Sequence, residues 1–298
     1  MLKRINWKAI LFGFIWLVSL SGLVVLMSFV NAKKNEVRCT DLKVLIPGSG
    51  NLVERTEVDK ILLENQGPLV GRLLEKINIQ QLEKALRSNP FIENARVYAD
   101  MNGVISVQVS QRVPVLRILN YTNQDFYIDK NGLKMPVSPN FTVPVLVANG
   151  SIMEDFSGKV DTLKTKIARG LFATAVFIEK DSLWNSQIEQ LYVNDKKEIE
   201  MIPRVGNHRI ILGDADSLEN KFRNLMAFYK KALPKVGWDA YKTISIKYAD
   251  QIVCVKNTAA DSARMDSMAA NIIIDQLKKA NAADSLNEKK DSTSNITH

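Results

Sequence analysis

Residues 91–114 read FIENARVYADMNGVISVQVSQRVP and carry the clearest structural signal in the chain. Apolar residues occupy alternate positions on both sides of the Asn102-Gly103 dipeptide, at Ala95, Val97, Ala99, Ile105, Val107 and Val109. Alternation with a period of two is typical of a strand that buries one face, and Asn-Gly favours a two-residue hairpin turn. The stretch therefore predicts an antiparallel hairpin with one apolar face and one polar face.

Three more elements are predicted before this hairpin. A strand follows Val37, a helix is capped by Thr56, and a second helix begins at Asn78, where Gln81 stands in the capping-box position, and ends at Pro90. The apolar residues that define these elements are Leu42, Val44 and Ile46 in the strand, Val58, Ile61 and Leu62 in the first helix, and Ile79, Leu82, Ala85 and Leu86 in the second. The predicted order is strand, helix, helix, strand, strand.

An uncharged run, AILFGFIWLVSLSGLVVLMSFV, occupies residues 9–30. At 1.5 Å per residue such a helix is long enough to cross a hydrocarbon core of about 30 Å, so the run predicts a single transmembrane helix in contact with membrane lipid, with Trp16 as its anchoring aromatic residue. A cleaved signal peptide is the alternative, but its apolar region is usually only about 7 to 15 residues long. The simplest topology places a head of residues 1–8 in the cytoplasm and the rest of the chain outside.

Residues 114–257 predict an α+β domain of mostly antiparallel sheet with covering helices. Short apolar strands are predicted at 116–119, 126–128, 132–135, 143–147, 188–193, 198–202, 208–212, 243–248 and 252–255. Helices at 161–179 and 218–232 each carry one apolar face, which must cover a sheet. From residue 258 the composition changes to Ala, Asp, Ser, Asn and Lys, which predicts a disordered tail at 258–298.

Composition narrows the function classes. The net charge of +8 comes from scattered basic residues in runs no longer than two, so nucleic-acid binding is not predicted. Cys39 and Cys254 lack the close spacing of a zinc or redox site and are predicted to be small buried residues. His208 is the only internal histidine, is predicted to lie in a turn, and has no acidic neighbour. We therefore predict no catalytic residues, no metal and no cofactor.

These elements resemble a known family. The strand-helix-helix-strand-strand order of residues 36–113 resembles a POTRA domain, and QRVP at 111–114 is similar to the junction that follows this domain in the bacterial cell-division family FtsQ/DivIB. FYIDKNGLKMP at 126–136, IILGD at 210–214 and YKTISIKYADQIVCVK at 241–256 are similar to later elements of that family. The resemblance covers residues 9–256 and implies a membrane anchor, a POTRA domain and a β domain.

The resemblance also implies a function. Members of this family are non-enzymatic scaffolds of the divisome in the inner membrane, with a cytoplasmic N-terminus and periplasmic domains at the septum. The resemblance implies FtsB-like and FtsL-like bitopic proteins and the septal peptidoglycan synthesis proteins as partners. It also implies that the scaffold links early division proteins to late ones. The POTRA hairpin is expected to offer a second binding surface.

The resemblance places the partner-binding site at the end of the β domain, where FtsB pairs with the last strand by β-augmentation. Carried over by position, Lys247 and Tyr248 precede the tight turn, and the pairing strand is Ile252, Val253, Cys254, Val255 and Lys256. The chain departs from the family at 249–251, which lack a glycine, and at Lys256, which replaces an aromatic residue. No later strand is predicted to cover this edge, although an earlier one is an alternative.

Alternatives remain at the level of residues and of function. Lys221 and Tyr229 on the preceding helix are candidates for the same groove. The alternative is a solvated helix face for Lys221, which is the preferred reading there, and a core aromatic residue for Tyr229. A POTRA-containing transport or secretion component is the second functional reading, although such a protein would need barrel strands after residue 257. A wall hydrolase that uses convergent carboxylates is the third.

Overall fold

The computed structural model describes residues 7–34, 37–48, 52–139, 141–248 and 251–258. The chain forms two compact units, one built from the residues up to Val145 with Glu154–Lys164, the other from Leu146–Met153 with the residues from Thr165 onward. The predicted domain bounds at 36–113 and 114–257 stay predictions. Most of the predicted head and the predicted tail from residue 259 lie outside the described residues.

The N-terminal helix α1 runs from Trp7 to Lys34. Within the described residues, no helix combines the length and the apolar character that a bilayer crossing requires. The transmembrane helix predicted at 9–30 is therefore wrong as part of the fold. Trp16, predicted as its anchor, is 73% exposed on α1.

The first unit continues with five elements in the predicted order. They are β1 (Asp41–Leu45), α2 (Arg55–Gln66), α3 (Ile79–Arg87), β2 (Ile92–Ala99) and β3 (Val104–Gln111), with one 3-10 turn at Leu74–Lys76. The sheet order is β1-β3-β2, in which β1 runs parallel and β2 antiparallel to β3. This is the predicted β-α-α-β-β arrangement, and the order of its elements is confirmed.

The alternating residues of the hairpin face the two helices and form one core. Its buried members include Val58, Leu62, Leu82, Leu86, Ala95, Val97, Ile105, Val107 and Val109. Each fully buried aliphatic side chain contributes about 1.5–3 kcal/mol, which makes this face the main stabilising feature of the domain. Asn78 caps α3 as predicted, since its Oδ1 accepts the Gln81 N–H at 3.0 Å. The start of α2 differs, because its N-cap is Glu54 and not the predicted Thr56.

The turn between β2 and β3 is longer than the predicted two-residue turn. The Asp100 N–H donates to the Val104 carbonyl at 3.0 Å, and the Gly103 N–H donates to the Asp100 carbonyl at 3.2 Å. Asp100 Oδ1 also accepts the N–H groups of Asn102 and Val104, both at 2.9 Å. A Cβ at Gly103, where φ is +88°, would lie 2.1 Å from the Arg38 carbonyl oxygen. Asp100 organises the turn, and only glycine fits at Gly103.

The next strands are β4 (Pro114–Leu119), β5 (Asp125–Asp129), β6 (Leu133–Pro136), β7 (Leu146–Gly150) and β8 (Asp161–Thr162). In the first unit β4, β5, β6 and β8 form a consecutive antiparallel ladder. Residues 161 and 162 were predicted to start a helix. They form β8 instead, because the helix is capped later, at Thr165, whose side chain accepts the Ala168 N–H.

The second unit combines β7 with the remaining elements. These are α4 (Lys166–Lys180), α5 (Ser182–Gln187), β9 (Ile188–Val193), β10 (Ile199–Pro203), β11 (Arg209–Gly213), α6 (Leu218–Lys231), α7 (Leu233–Val236), β12 (Tyr241–Ser245) and β13 (Val253–Lys256). Their strands follow the order β13-β12-β11-β10-β9-β7. Three of these pairings are antiparallel, whereas β7 with β9 and β11 with β12 are parallel. The mostly antiparallel sheet matches the sequence prediction, but α5 and α7 were not predicted.

Candidate partner-binding edge

Strand β13 forms one end of the sheet of the second unit. It pairs antiparallel with β12, with Thr243 opposite Val255, Ile244 opposite Cys254 and Ser245 opposite Val253. Among the described residues, no strand pairs with its other side. The last strand in the described residues is therefore an edge strand, which is the geometry that strand addition requires.

The backbone of β13 presents hydrogen-bonding groups at this edge. The Asn257 N–H donates to the Ala240 carbonyl at 3.1 Å, so the backbone of Asn257 faces the β12 side. Successive residues of an antiparallel strand direct their N–H and C=O groups to alternate sides. Val255 and Val253 therefore face β12 as Asn257 does, whereas Cys254 and Lys256 direct their N–H and C=O groups to the outer side.

The side chains of β13 alternate as well. Val253 and Val255 are 44% and 53% exposed, whereas Cys254 is half-buried opposite the fully buried Ile244. Burial raises the pKa of the Cys254 thiol, so it stays neutral and packs as a small apolar group. Cys39 is buried with its thiol pKa raised by burial too, and both cysteines are free. The edge thus offers apolar side chains together with backbone groups.

Lys247 and Tyr248 lie between β12 and β13. The Lys247 Nζ is 3.1 Å from Glu198 Oε1 and 5.2 Å from the centre of the Tyr248 ring, and Tyr248 is 43% exposed. The Lys247–Glu198 hydrogen bond lowers the pKa of Glu198 and raises that of Lys247. Gly213 leaves room for this contact, since a Cβ there would lie 2.9 Å from the Lys247 Cβ. The two residues before the predicted turn therefore lie together, and residues 249–250 are outside the described chain.

Lys221 is buried on α6 and does not lie on a solvated helix face. Its Nζ donates to Asp214 Oδ1 at 2.7 Å and to the Asp214 carbonyl at 2.9 Å. The hydrogen bond from Lys221 lowers the pKa of Asp214. The ammonium group thus holds the loop after β11 against α6, and the partner-binding role of Lys221 stays a prediction.

Tyr229 is a core residue whose hydroxyl is 3.0 Å from His208 Nε2. Its ring packs against Trp184 and Trp238, with ring centres 5.8 and 5.3 Å apart. Burial raises the pKa of Tyr229 and lowers that of His208. His208 was predicted as a turn residue, and it lies just before β11, but its imidazole is buried beside this tyrosine. The role of Tyr229 in partner binding stays a prediction.

The QRVP stretch has a structural role that sequence reasoning missed. Gln111 Oε1 accepts the N–H groups of Leu52 and Val53 at 3.0 and 3.1 Å. Arg112 donates to Asp129 Oδ2 at 2.7 Å, and the Asp129 carboxylate is fully buried. Asp129 begins the DKNG turn, so this ion pair connects two motifs that the sequence presented separately. Each motif contains a charged residue, which was the available signal, but the sequence did not show that Arg112 and Asp129 are partners.

The chemistry available at the β13 edge is that of association. In the described parts of the chain, no three His, Cys, Asp or Glu side chains converge in a way that could hold a metal ion. The edge itself offers backbone donors and acceptors, two exposed valines and a half-exposed tyrosine. Groups of this kind can pair with an added strand by hydrogen bonding and apolar burial.

Two family models match the chain. A POTRA-like domain model matches residues 37–110, and an FtsQ/DivIB C-terminal related model matches residues 113–255. No curated protein matches it. The second match favours division over the transport alternative, which was based on the POTRA-like part alone. FtsQ/DivIB proteins are membrane-associated, non-enzymatic division proteins that work through protein–protein interactions, and the two matches support a scaffold role in cell division. Residues 113–255 thus belong to the FtsQ/DivIB C-terminal related family, and a POTRA-like domain precedes them, as the resemblance implied.

Proposed function

We propose that this chain is a divisome scaffold that binds FtsB-like and FtsL-like proteins by strand addition to β13. It acts at the membrane of the division septum and connects early division proteins with those of septal peptidoglycan synthesis. The observation that carries the proposal is the edge position of β13, whose outward N–H and C=O groups meet no other strand among the described residues.

The backbone contribution is moderate in size. Cys254 and Lys256 together offer two donors and two acceptors, and each hydrogen bond adds a net of about 0.5–1.5 kcal/mol. Covering the exposed parts of Val253 and Val255 adds roughly 1–2 kcal/mol. Association costs at least about 4 kcal/mol in lost translational and rotational freedom. The strand alone therefore binds weakly, and the interface needs a further anchor.

Tyr248 suits the role of that anchor. Its ring is partly exposed at the start of the edge, and burial of a tyrosine is a common source of interface energy. Lys247 is already paired with Glu198, so a partner carboxylate would have to replace that contact. We expect Lys247 to affect the association rate and its salt dependence more than the affinity.

A pair of substitutions at Lys256 tests strand addition directly. Lys256→Pro removes an outward N–H, whereas Lys256→Ala removes the exposed side chain and keeps that N–H. Position 256 is preferable to Val253, because the Val253 N–H faces β12 and a proline there would disturb the sheet itself. We expect the proline variant to lose co-purification with the FtsB-like partner and the alanine variant to retain it.

Thermal melting of both variants checks that the domain stays folded. A proline variant that is folded and still captures the partner would refute pairing at β13. Tyr248→Ala is the second arm, and we expect an affinity loss of about 2 kcal/mol, the size typical of an interface anchor. A loss seen only with Tyr248→Ala would favour binding through a side-chain surface over strand addition.

A further inference from the structure

Strand β2 is also an edge strand, but its outer backbone groups are occupied. It lies at one end of the β1-β3-β2 sheet. The Val97 N–H donates to Glu83 Oε1 at 2.8 Å, and Arg87 donates to the Ala95 carbonyl oxygen at 2.8 Å. Both side chains come from α3, one turn apart, and their charged groups are 3.3 Å apart. Two charged side chains thus bind the backbone of the edge.

These contacts fall on the groups that a foreign strand would use. Ala95 and Val97 are two residues apart, so their backbone groups point to the same side of β2. Because Glu83 and Arg87 bond these groups, that side is the one that faces away from β3. An incoming strand would have to displace both side chains before it could pair.

A simpler interpretation is an ordinary salt bridge on a helix surface. The same domain offers the comparison, since Arg55–Asp59 and Lys60–Glu64 on α2 have the same spacing, with charged atoms 3.6 and 3.9 Å apart. Glu83 and Arg87 differ because each also makes a charge-assisted hydrogen bond to strand backbone, which is stronger than a neutral one. Their position is therefore explained by the edge and not by helix spacing alone.

We propose that Glu83 and Arg87 form an edge lock, an intramolecular contact that prevents β2 from pairing with β2 of a second copy of this chain. Two identical edge strands pair antiparallel around a two-fold axis, which makes a second copy the partner that is always available. The lock keeps the POTRA-like sheet at three strands. It is independent of what β13 binds.

The test uses the full chain in three forms. Glu83→Ala with Arg87→Ala opens the lock, and Lys60→Ala with Glu64→Ala is the control, since it removes the same charges from a helix pair of equal spacing. Hydrogen exchange at low protein concentration reports the β2 amides. In the unlocked form we expect the Val97 amide to exchange roughly ten- to a hundredfold faster than in the unmodified chain, because its charged acceptor is gone. The control is expected to exchange like the unmodified chain.

Sedimentation velocity at rising concentration then measures self-association. We expect the unlocked form to dimerise more strongly than the unmodified chain, with the β2 amides protected again in the dimer. Glu83→Gln, which keeps an oxygen acceptor for Val97, is expected to behave as the unmodified chain does. The lock is overturned if the unlocked form sediments like the unmodified chain, if its dimer leaves β2 unprotected, or if the control associates equally.

Discussion

The two edge strands β2 and β13 reach the same position in their sheets but have opposite surroundings. On β2, Glu83 and Arg87 occupy the outward backbone groups. On β13, the outward groups of Cys254 and Lys256 meet no strand in the part of the chain that the structure describes. Both strands alternate in sequence, so the alternation does not distinguish them. Whether an edge is available depends on what other segments place beside it.

The exposed side chains also distinguish a protected β2 from an accessible β13. Strand β2 turns Ala95 and Val97 into the core and exposes Arg96 and Tyr98, so charge protects it in addition to the lock. Strand β13 leaves two valines partly exposed. The β2 edge is protected against pairing with another strand, whereas the β13 edge has the properties of a binding edge.

The largest effect is expected from Arg112, which holds the exit of the locked hairpin. Arg112→Ala leaves the buried Asp129 carboxylate without its ion-pair partner, and loss of one partner of a buried pair typically costs about 3–5 kcal/mol. Chemical denaturation measures the change. Lys130→Ala, which breaks a more exposed pair with Glu93, is the matched control and should cost under about 1 kcal/mol. Equal losses would show that the Arg112 pair is not special.

The second effect concerns the lock itself. Glu83→Ala removes a hydrogen bond from Val97 to a charged acceptor and should lower the free energy of unfolding by about 1.5–3 kcal/mol. Glu64→Ala on α2 should cost less than about 0.5 kcal/mol, because the described contact of Glu64 is a long helix pair, 3.9 Å from Lys60. The comparison between the two edges fails if both substitutions give the same denaturation midpoint.

Valine-to-threonine substitutions give the third contrast. Val255→Thr keeps shape and strand propensity, so stability should change by no more than about 0.5 kcal/mol, while partner affinity falls by roughly three- to tenfold. Val107→Thr puts the same hydroxyl into the core and should cost about 1–3 kcal/mol. Calorimetry and a binding titration separate the two results. Unchanged affinity for Val255→Thr would place the interface elsewhere.

The smallest effect is expected at the Lys247–Glu198 pair, which is partly exposed. The hydrogen bond from Lys247 lowers the pKa of Glu198, so its stabilisation is present above the usual value of 4.5 and disappears as the pH falls through the lowered value. The stability difference between the unmodified chain and Lys247→Ala should therefore be small at pH 7 and shrink as the pH falls below 4.5 and through the lowered pKa of Glu198. A difference that does not change over this acid titration would show that packing, and not the ion pair, causes it.

Local patterns predicted much of this fold. Alternation identified β2 and β3, the Asn78 cap located α3, and the order of strands indicated that β13 is the last of the described strands. Each of these signals comes from neighbouring residues, whose spacing reports burial or capping directly. The apolar run at 9–30 was the exception, since it predicted a transmembrane helix that the described chain does not contain.

The remaining features depend on residues far apart in the sequence. Glu83 with Val97, Arg112 with Asp129 and His208 with Tyr229 are partners only in the folded chain. A polar residue in a sequence shows that it needs a partner if buried, but not which one. The edge lock could not be predicted from the sequence for this reason, because Glu83 and Arg87 have the spacing of an ordinary salt bridge within a helix.

The close approach of Gly213 to Lys247 affects how the results of a mutational scan for partner recruitment should be interpreted. Gly213 has φ of +80°, and any larger residue would be strained and would crowd the Lys247 side chain. Such a variant would score as recruitment-defective although Gly213 lies in β11, two strands from the edge. A recruitment defect from a substitution at Gly213 would therefore report a displaced Lys247, and it should not be taken to enlarge the proposed footprint of the partner.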